Sequence, residues 1–324
     1  MPRKTTYVDV EGRQLALSNL DKVLYPAVGF TKAQVLDYYS RIAPIILPHL
    51  AGYPVTLKRY PEGVNEEFFY QKNCPAHRPK WVETATVPNE HKAQGTNLCM
   101  IDNVASLAWI LNLASLEIHT LLARASDLQR PTAMVFDLDP GEGVDIICSA
   151  RIAMLVRKVL TRLGLESFPK TSGGKGLHLY VPLNTPATFD QTKAFSRRLA
   201  EAFAVRLRDH VTANMRKTLR QGKVFIDWSQ NDIHKTTVCV YSLRARTRPT
   251  VSTPVAWTEI EKALKADDPM ALTFETHEVL DRIARKGDLF APVLKLQQKL
   301  PGLGDLDTAI ARVLSDITPT GPDT

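Results

Sequence analysis

Three aspartates are the residues of this chain best suited to chemistry: Asp137 and Asp139 within FDLDPG (136–141), and Asp227 within VFIDW (224–228). Each lies in or just after a short apolar run of the kind that forms a buried strand. Side chains alternate along a strand, so Asp137 and Asp139 share a face while Leu138 points into the opposite layer. Two carboxylates side by side at the end of an apolar strand are costly without a positive partner. Hard divalent cations suit them, because such ions prefer oxygen ligands. A third carboxylate from a second strand would complete a site for two metals about 3.5–4 Å apart, an arrangement that serves phosphoryl transfer. The competing reading is a pair of turn-capping aspartates ahead of Pro140-Gly141, and D-x-D alone does not decide between the two.

A second candidate is the loop TSGGKGLH (171–178), which falls between two strand-like runs. Its glycines permit backbone geometries in which successive N–H groups converge on an anion. Ser172 can add a hydroxyl, Lys175 a point charge and His178 a ring N–H. The spacing is not that of a Walker loop, and no helix follows. A tight glycine hairpin with an incidental lysine is the plainer alternative. Basic residues crowd the third aspartate: Arg216, Lys217, Arg220 and Lys223 precede it, and Lys235, Arg244, Arg246 and Arg248 follow. Such a run is commonly a solvated face; beside three acidic candidates it also fits an anionic substrate held over metals.

The elements that must position these residues can be read from periodicity and caps. Thr31-Lys32-Ala33-Gln34 matches a capping box ahead of a helical pattern, with Pro44 and Pro48 predicting a kinked or broken end. Strand-like pieces follow at 55–60, 68–70, 81–87 and 98–101. Asn103 caps an apolar stretch, Val104 to Leu116, predicted as a helix buried on several sides. Ala133–Asp137 reads as a strand, Ile146–Leu163 as a helix capped by Asp145 and stopped by Gly164, and Leu165–Lys170 and Leu177–Val181 as strands. Phe189–Arg208 reads as an amphipathic helix, Val224–Trp228 and Thr236–Tyr241 as strands, and Trp257 to Leu314 as mostly helical. The best candidate boundary is the proline-rich stretch 248–254.

At 324 residues, 44% apolar and 23% charged, the chain has ample material for a packed core. It has no apolar run of membrane-spanning length and its first residues show no secretory pattern, so a cytoplasmic protein is expected. The net charge of +7 favours a polyanionic partner. Four cysteines (Cys74, Cys99, Cys148, Cys239) are scattered and are most simply reduced thiols. Cys74 and His77, with His91 and Cys99 downstream, carry zinc-ligand residue types, but their spacing is too irregular for a standard zinc site. His49, His210, His234 and His277 show no partner pattern.

Taken together and in order, FDLDPG, TSGGKGLH, KVFIDWSQN (223–231) and YSLRART (241–247) resemble the polymerase domain of bacterial ligase D. That is a branch of the archaeo-eukaryotic primase superfamily used in non-homologous end joining. The string LSNLDKVLYP (17–26), with Thr31-Lys32, Lys58-Arg59, Phe68 to Lys72 and Ser115 to His119, resembles it too, over about residues 15–290. The resemblance implies an α/β (α+β) fold: an RRM-like, antiparallel-rich catalytic sheet, an N-terminal α/β module and a helical C-terminal layer. It implies one catalytic domain, 1–324, with parts at 1–130 (DNA-end binding), 131–250 (catalytic core) and 251–324 (helical).

It also implies roles. Asp137, Asp139 and Asp227 would hold two divalent metal ions, manganese or magnesium, with His119 near the catalytic centre. Lys58, Ser172, Lys175, His178, Lys235, Arg244 and Arg246 would serve the incoming nucleotide. Asn19, Lys22 and Lys32 would bind the 5′-phosphate at a DNA gap or break, Phe68 or Phe69 would stack on a template base, and Arg220 would contact DNA or the active site. In a strand one of the two phenylalanines should face in and the other out. The implied activity is a DNA-dependent nucleotidyltransferase that fills gaps and extends ends with a preference for ribonucleotides. Its implied partners are 5′-phosphorylated DNA, NTP or dNTP, a DNA ligase and a Ku-type end-binding protein, in the bacterial nucleoid and without a membrane. A metal-dependent nuclease and a non-catalytic end-binding module are the rivals.

Overall fold

The computed structural model describes residues 5–89 and 92–316. The described chain forms two compact units, one from 5–128, 236–253 and 274–288, the other from 129–235, 254–273 and 289–316. The chain leaves the first unit near residue 128, close to the expected module boundary, but returns to it twice. Neither the stretch 131–250 nor 251–324 is therefore a continuous unit. The returns have a pairing reason: Thr236–Val238 adds a strand to the first unit's sheet, and Val251 N–H donates to the Phe274 carbonyl.

The first unit contains β1 (Thr5–Val10), β2 (Arg13–Ser18), β3 (Val23–Tyr25), β4 (Phe30–Thr31), α1 (Lys32–Leu50), β5 (Pro54–Arg59), β6 (Phe69–Gln71), β7 (Thr84–Asn89), β8 (Lys92–Met100), α2 (Val104–Asn112), β9 (Ser115–Leu121), β15 (Thr236–Val238) and α6 (Thr276–Lys286). Its main sheet runs β15-β9-β5-β8-β7, with β6 also on β5; β1–β2 and β3–β4 are separate hairpins. Thr31 and Gln34 form the expected capping box on α1. The helix then continues unbroken through Pro44 and Pro48. Both prolines are solvent-facing and four residues apart, so the carbonyls they leave unbonded, those of Ser40 and Pro44, lie on the exposed side where water serves them. The buried stripe Val35, Tyr39, Ile42, Ile46 and Leu50 holds the other side. α2 is shorter than its apolar run predicts: Asn103 caps it, but Ala114 takes a left-handed φ of 57° and turns the chain into β9.

The second unit contains β10 (Ala133–Pro140), α3 (Ile146–Arg162), β11 (Phe168–Thr171), β12 (Leu177–Pro182), α4 (Phe189–Arg206), β13 (Val211–Thr212), β14 (Val224–Asp227), α5 (Trp257–Ala266) and α7 (Leu303–Ser315). Its sheet runs β11-β12-β10-β14-β13, antiparallel except for the β13–β14 pair. α3 begins at the cap read from sequence, Asp145, and α4 at Thr188, whose capping box with Gln191 the structure adds. Asn231 holds β10 where β14 does not reach. β14 pairs β10 only over 137–140, and at Val135 the side-chain amide of buried Asn231 takes over. Its Oδ1 accepts from Val135 N–H at 2.8 Å and its Nδ2 donates to Val135 O at 2.7 Å.

Cys74 and Cys99 are joined in a disulfide, with Cα atoms 4.9 Å apart. This corrects the reduced-thiol expectation for that pair and removes both thiolates from zinc ligation. His91 lies outside the described residues. Among the described residues, no helix is long and apolar enough to cross a membrane.

Candidate active site

In the second unit, sheet register assembles a row. Asp137 on β10 lies opposite Asp227 on β14 on one side and His178 on β12 on the other, and His178 in turn lies opposite Lys170 on β11. Directly opposed residues project to the same face, so four strands present lysine, histidine, aspartate and aspartate in line. His178 Nε2 stands 3.3 Å from Asp137 Oδ1, and Lys170 Nζ 3.1 Å from His178 Nδ1. Asp139, two residues along β10, is on the Asp137 face and opposite Phe225. Arg220 stacks on that phenylalanine at 3.6 Å, with an Nη donating to Met215 O.

Each carboxylate is placed by its surroundings. Asp227 caps the short turn after β14: its Oδ1 accepts from the Ser229 amide at 3.0 Å and from the Ser229 hydroxyl, and Lys235 Nζ donates to that hydroxyl. Asp139 is crowded by Gly176, where a Cβ would meet Leu138 O at 2.6 Å and Asp139 Oδ1 at 3.1 Å. Gly141 is equally constrained, since a Cβ there would fall 1.8 Å from Arg220 O. Glycines at these two positions let the nucleotide-loop candidate and the basic loop approach the acidic strand.

The glycine loop is built differently from its expectation. The amides of Gly174 and Gly176 both converge on Ser172 Oγ, each at 3.1 Å, and Ser172 N–H donates to Gly176 O. Those amides close the loop upon itself, because the buried serine hydroxyl is the nearest acceptor. Lys175 is exposed at the loop's tip.

Among the described residues, no group of three or more His, Cys, Asp or Glu side chains stands as a ready metal centre. The donor set nevertheless fits a divalent ion in kind. Asp137, Asp139 and Asp227 are hard oxygen donors on one face, and opposing Asp137 to Asp227 is a repulsive pairing that a cation would relieve.

In the first unit the centre is Glu117, which the sequence reading quoted within a motif but gave no role. It sits on β9 with its side chain 2% exposed. Oε2 lies 2.9 Å from His119 Nε2 and 3.3 Å from Arg244 Nε. Oε1 lies 3.8 Å from Lys58 Nζ and accepts from Tyr60 OH and from the Ala245 amide. Lys58 and His119 come from the neighbouring positions that the β5–β9 register dictates. A glutamate two residues before a histidine in the strand SLEIHTL is all that the sequence offers; its burial and its partners at 58 and 244 come from the fold.

Burial alone would raise Glu117, but the His119 hydrogen bond and the charges of Arg244, His119 and Lys58 overcome it and hold the carboxyl far below its usual range. Burial lowers His119 despite Glu117, and lowers Lys58. For Glu117, the unfolded chain binds a proton that the folded chain refuses at any pH between the depressed value and the ordinary 4.5. Stability thus rises with pH across that window and is lost as pH falls through it. His119 acts with the same sign below its ordinary 6.5, since the folded state favours the neutral ring. Thermal unfolding followed from pH 7 to pH 3 should fall steeply for the native chain. Glu117→Gln should start lower and fall less; parallel curves would contradict the assignment.

Lys58 also lies 4.0 Å over the Phe68 ring and 5.6 Å over Tyr70, and Arg59 lies over Phe69 at 5.0 Å. Phe68 and Phe69 are both open, 49% and 44% exposed. The expected in–out alternation fails: Phe68 precedes β6, and within β6 Phe69 and Tyr70 are both exposed. Arg246 is exposed beside Arg244.

The expected phosphate residues divide. Asn19 is exposed in a left-handed turn, and Lys22 pairs with Glu62 at 2.6 Å near the surface. Lys32 is 4% exposed and donates to Ser18 O at 2.6 Å and Asn112 Oδ1 at 2.7 Å. It ties the 18–22 turn to α2. The first amides of α1 are also occupied, by Leu20 and Lys22 carbonyls. His49, left without a partner in the sequence reading, pairs with Asp288 at 2.8 Å.

A sheet bearing aligned aspartates beside a glycine loop, in a mixed α/β chain with antiparallel-rich sheets, suits a nucleotidyltransferase of the primase–polymerase class, and the family match shows that class. The family described as LigD, primase-polymerase domain, matches residues 31–290, and the chain belongs to that family. Metal dependence is general in it. The chain is 46% identical over 282 residues to the multifunctional non-homologous end joining protein LigD of Mycolicibacterium smegmatis, covering 86% of this chain and 36% of that protein. It is 30% identical over 290 residues to the bifunctional non-homologous end joining protein LigD of Bacillus subtilis, covering 89% and 45%. The chain thus spans less than half the length of these curated relatives. Among solved structures it matches the polymerase domain of Mycobacterium tuberculosis ligase D in complex with DNA, with a TM-score of 0.79 and 43% identity, covering 86% of this chain and 98% of that one.

Proposed function

We propose that this chain adds nucleotides to DNA ends and gaps during double-strand break repair, by metal-assisted phosphoryl transfer and with a preference for ribonucleotides. The observation that supports this most is the row in which Asp137 opposes Asp227 with Asp139 on the same face, in a chain of the LigD primase-polymerase family. Asp137, Asp139 and Asp227 would hold the divalent ions, whose chemistry is to acidify the primer 3′-hydroxyl and neutralise the triphosphate.

The protein's own residues supply the rest. Lys175 offers a mobile charge to phosphates, and His178 a ring N–H on the same face as the carboxylates. Arg220 and Lys235 add positive charge near them. In the first unit, Lys58, Arg244 and Arg246 form a second cationic set for a polyanion, with the His119 ring beside Glu117. Exposed Phe68 and Phe69 offer sequence-tolerant stacking worth about 1–3 kcal/mol per base. Asn19 and Lys22 are the residues for a terminal phosphate, with Lys32 holding their turn in place. By analogy with the relatives' names, a ligase and an end-binding protein are the expected partners.

A fluorescent gapped duplex tests the DNA-end part of this reading. Binding should be tighter with a 5′-phosphate downstream of the gap than without. Lys22→Ala should remove most of that preference, about tenfold, while leaving binding to the unphosphorylated duplex nearly unchanged. Equal affinity for both duplexes would contradict it.

A further inference from the structure

Lys170 has no part in the roles above, yet it is fully buried in the second unit, at 0% exposure, and heads the row of polar side chains that ends at the acidic strand. A buried lysine is rare without a task, because removing its amine from water is costly. Its Nζ lies 3.1 Å from His178 Nδ1 and 5.6 Å over the Tyr180 ring. The other ring nitrogen of His178 lies 3.3 Å from Asp137 Oδ1.

We propose that Lys170 is a positioning residue that fixes the tautomer and ring orientation of His178, so that Nε2 always carries the hydrogen and faces the acidic strand. The Lys170 hydrogen bond sets one side, and the carboxylate 3.3 Å from Nε2 favours the same form. As an ammonium Lys170 can only donate, and Nδ1 can accept from it only if it carries no hydrogen. The carboxylate oxygen of Asp137 is an acceptor, and a bare Nε2 would turn a lone pair on it. Only the Nε2–H ring satisfies both neighbours. In this arrangement the lysine is to His178 what the outer hydrogen-bond partner is to a ligating histidine: it sets which nitrogen does the work. The proposal rests on the reading of His178 as a donor to a nucleotide phosphate. An Nε2–H held in place is a preformed donor for such an oxygen, with no reorganisation when the nucleotide arrives.

The test is nitrogen NMR of the histidine rings in the full chain without metal, with His178 assigned by its loss in His178→Gln. The native protein should show a protonated Nε2 and a hydrogen-bonded, unprotonated Nδ1. Lys170→Met should mix or invert the two forms, and Lys170→Arg should restore the native pattern. A protonated or non-hydrogen-bonded Nδ1 in the native protein would overturn the proposal, and this holds even if Lys170→Met fails to fold. An unchanged pattern in a folded Lys170→Met would overturn it equally. Nucleotide titration then separates this proposal from the reading it rests on. A tautomer change with about tenfold weaker nucleotide binding supports both. A tautomer change without effect on nucleotide binding supports the positioning role and contradicts the phosphate role.

Discussion

Asp137→Asn should lower nucleotide addition by more than about 100-fold while leaving the metal-free protein at least as stable as the native one. The loss exceeds the 10–100-fold typical of residues that merely support a metal ligand, because Asp137 would be a ligand itself. The stability expectation follows from register. Asp137 lies directly opposite Asp227, and like charges so placed are destabilising. Asparagine keeps the volume and an oxygen that can face His178, while the repulsion goes. Divalent manganese should then raise the melting temperature of the native chain and leave the variant's nearly unchanged, since only a folded state that binds the ion is stabilised by it. A variant that is both less stable and fully active would show that the aspartate is a structural cap and not a ligand.

Asn231→Leu should produce the largest stability loss of any single substitution considered for the second unit. The leucine removes an acceptor for Val135 N–H and a donor for Val135 O, and with them the 3.0 Å bond to Ser196 Oγ. Each buried backbone group so orphaned costs about 1–3 kcal/mol, for a total of about 2–6 kcal/mol. Urea unfolding should show a lower midpoint, and amide exchange should show lost protection at Val135. Because β10 carries Asp137 and Asp139, activity should fall with it, at temperatures below the melting transition as well as above. An unchanged midpoint would mean that water replaces the amide without cost.

These two residues mark the limit of what the chain alone discloses. The place of Asp137 and Asp139 on one strand was legible because an apolar run with two carboxylates in period two is a local pattern. The caps Thr31, Asn103 and Asp145 were legible for the same reason, and so were the helices they start. Asn231 and Glu117 meet partners far away in sequence, Val135 and Ser196 for the first and Lys58 and Arg244 for the second; Lys170 stands only eight residues before His178, but their meeting depends on the β11–β12 register. Nothing local distinguishes a buried glutamate that gathers five polar groups from one at a strand edge. The proline pair in α1 was misread because its cost depends on which face the prolines occupy, and α2 because a single left-handed Ala114 ends a run whose composition would continue. The Ser172 loop was legible as a loop, but the direction of its amides was decided by an internal acceptor. The disulfide between Cys74 and Cys99 joins β8 to a loop that no periodic pattern places.

The most direct measurement is extension of a labelled primer across a short gap with manganese, supplying ribo- and deoxyribonucleotides separately, with the native chain and Asp137→Asn in parallel. The account predicts templated addition by the native chain, faster with ribonucleotides and with a 5′-phosphate on the downstream strand, and none by the variant. Shortening of the primer, or phosphate-dependent binding with no nucleotide added under any of these conditions, would contradict it.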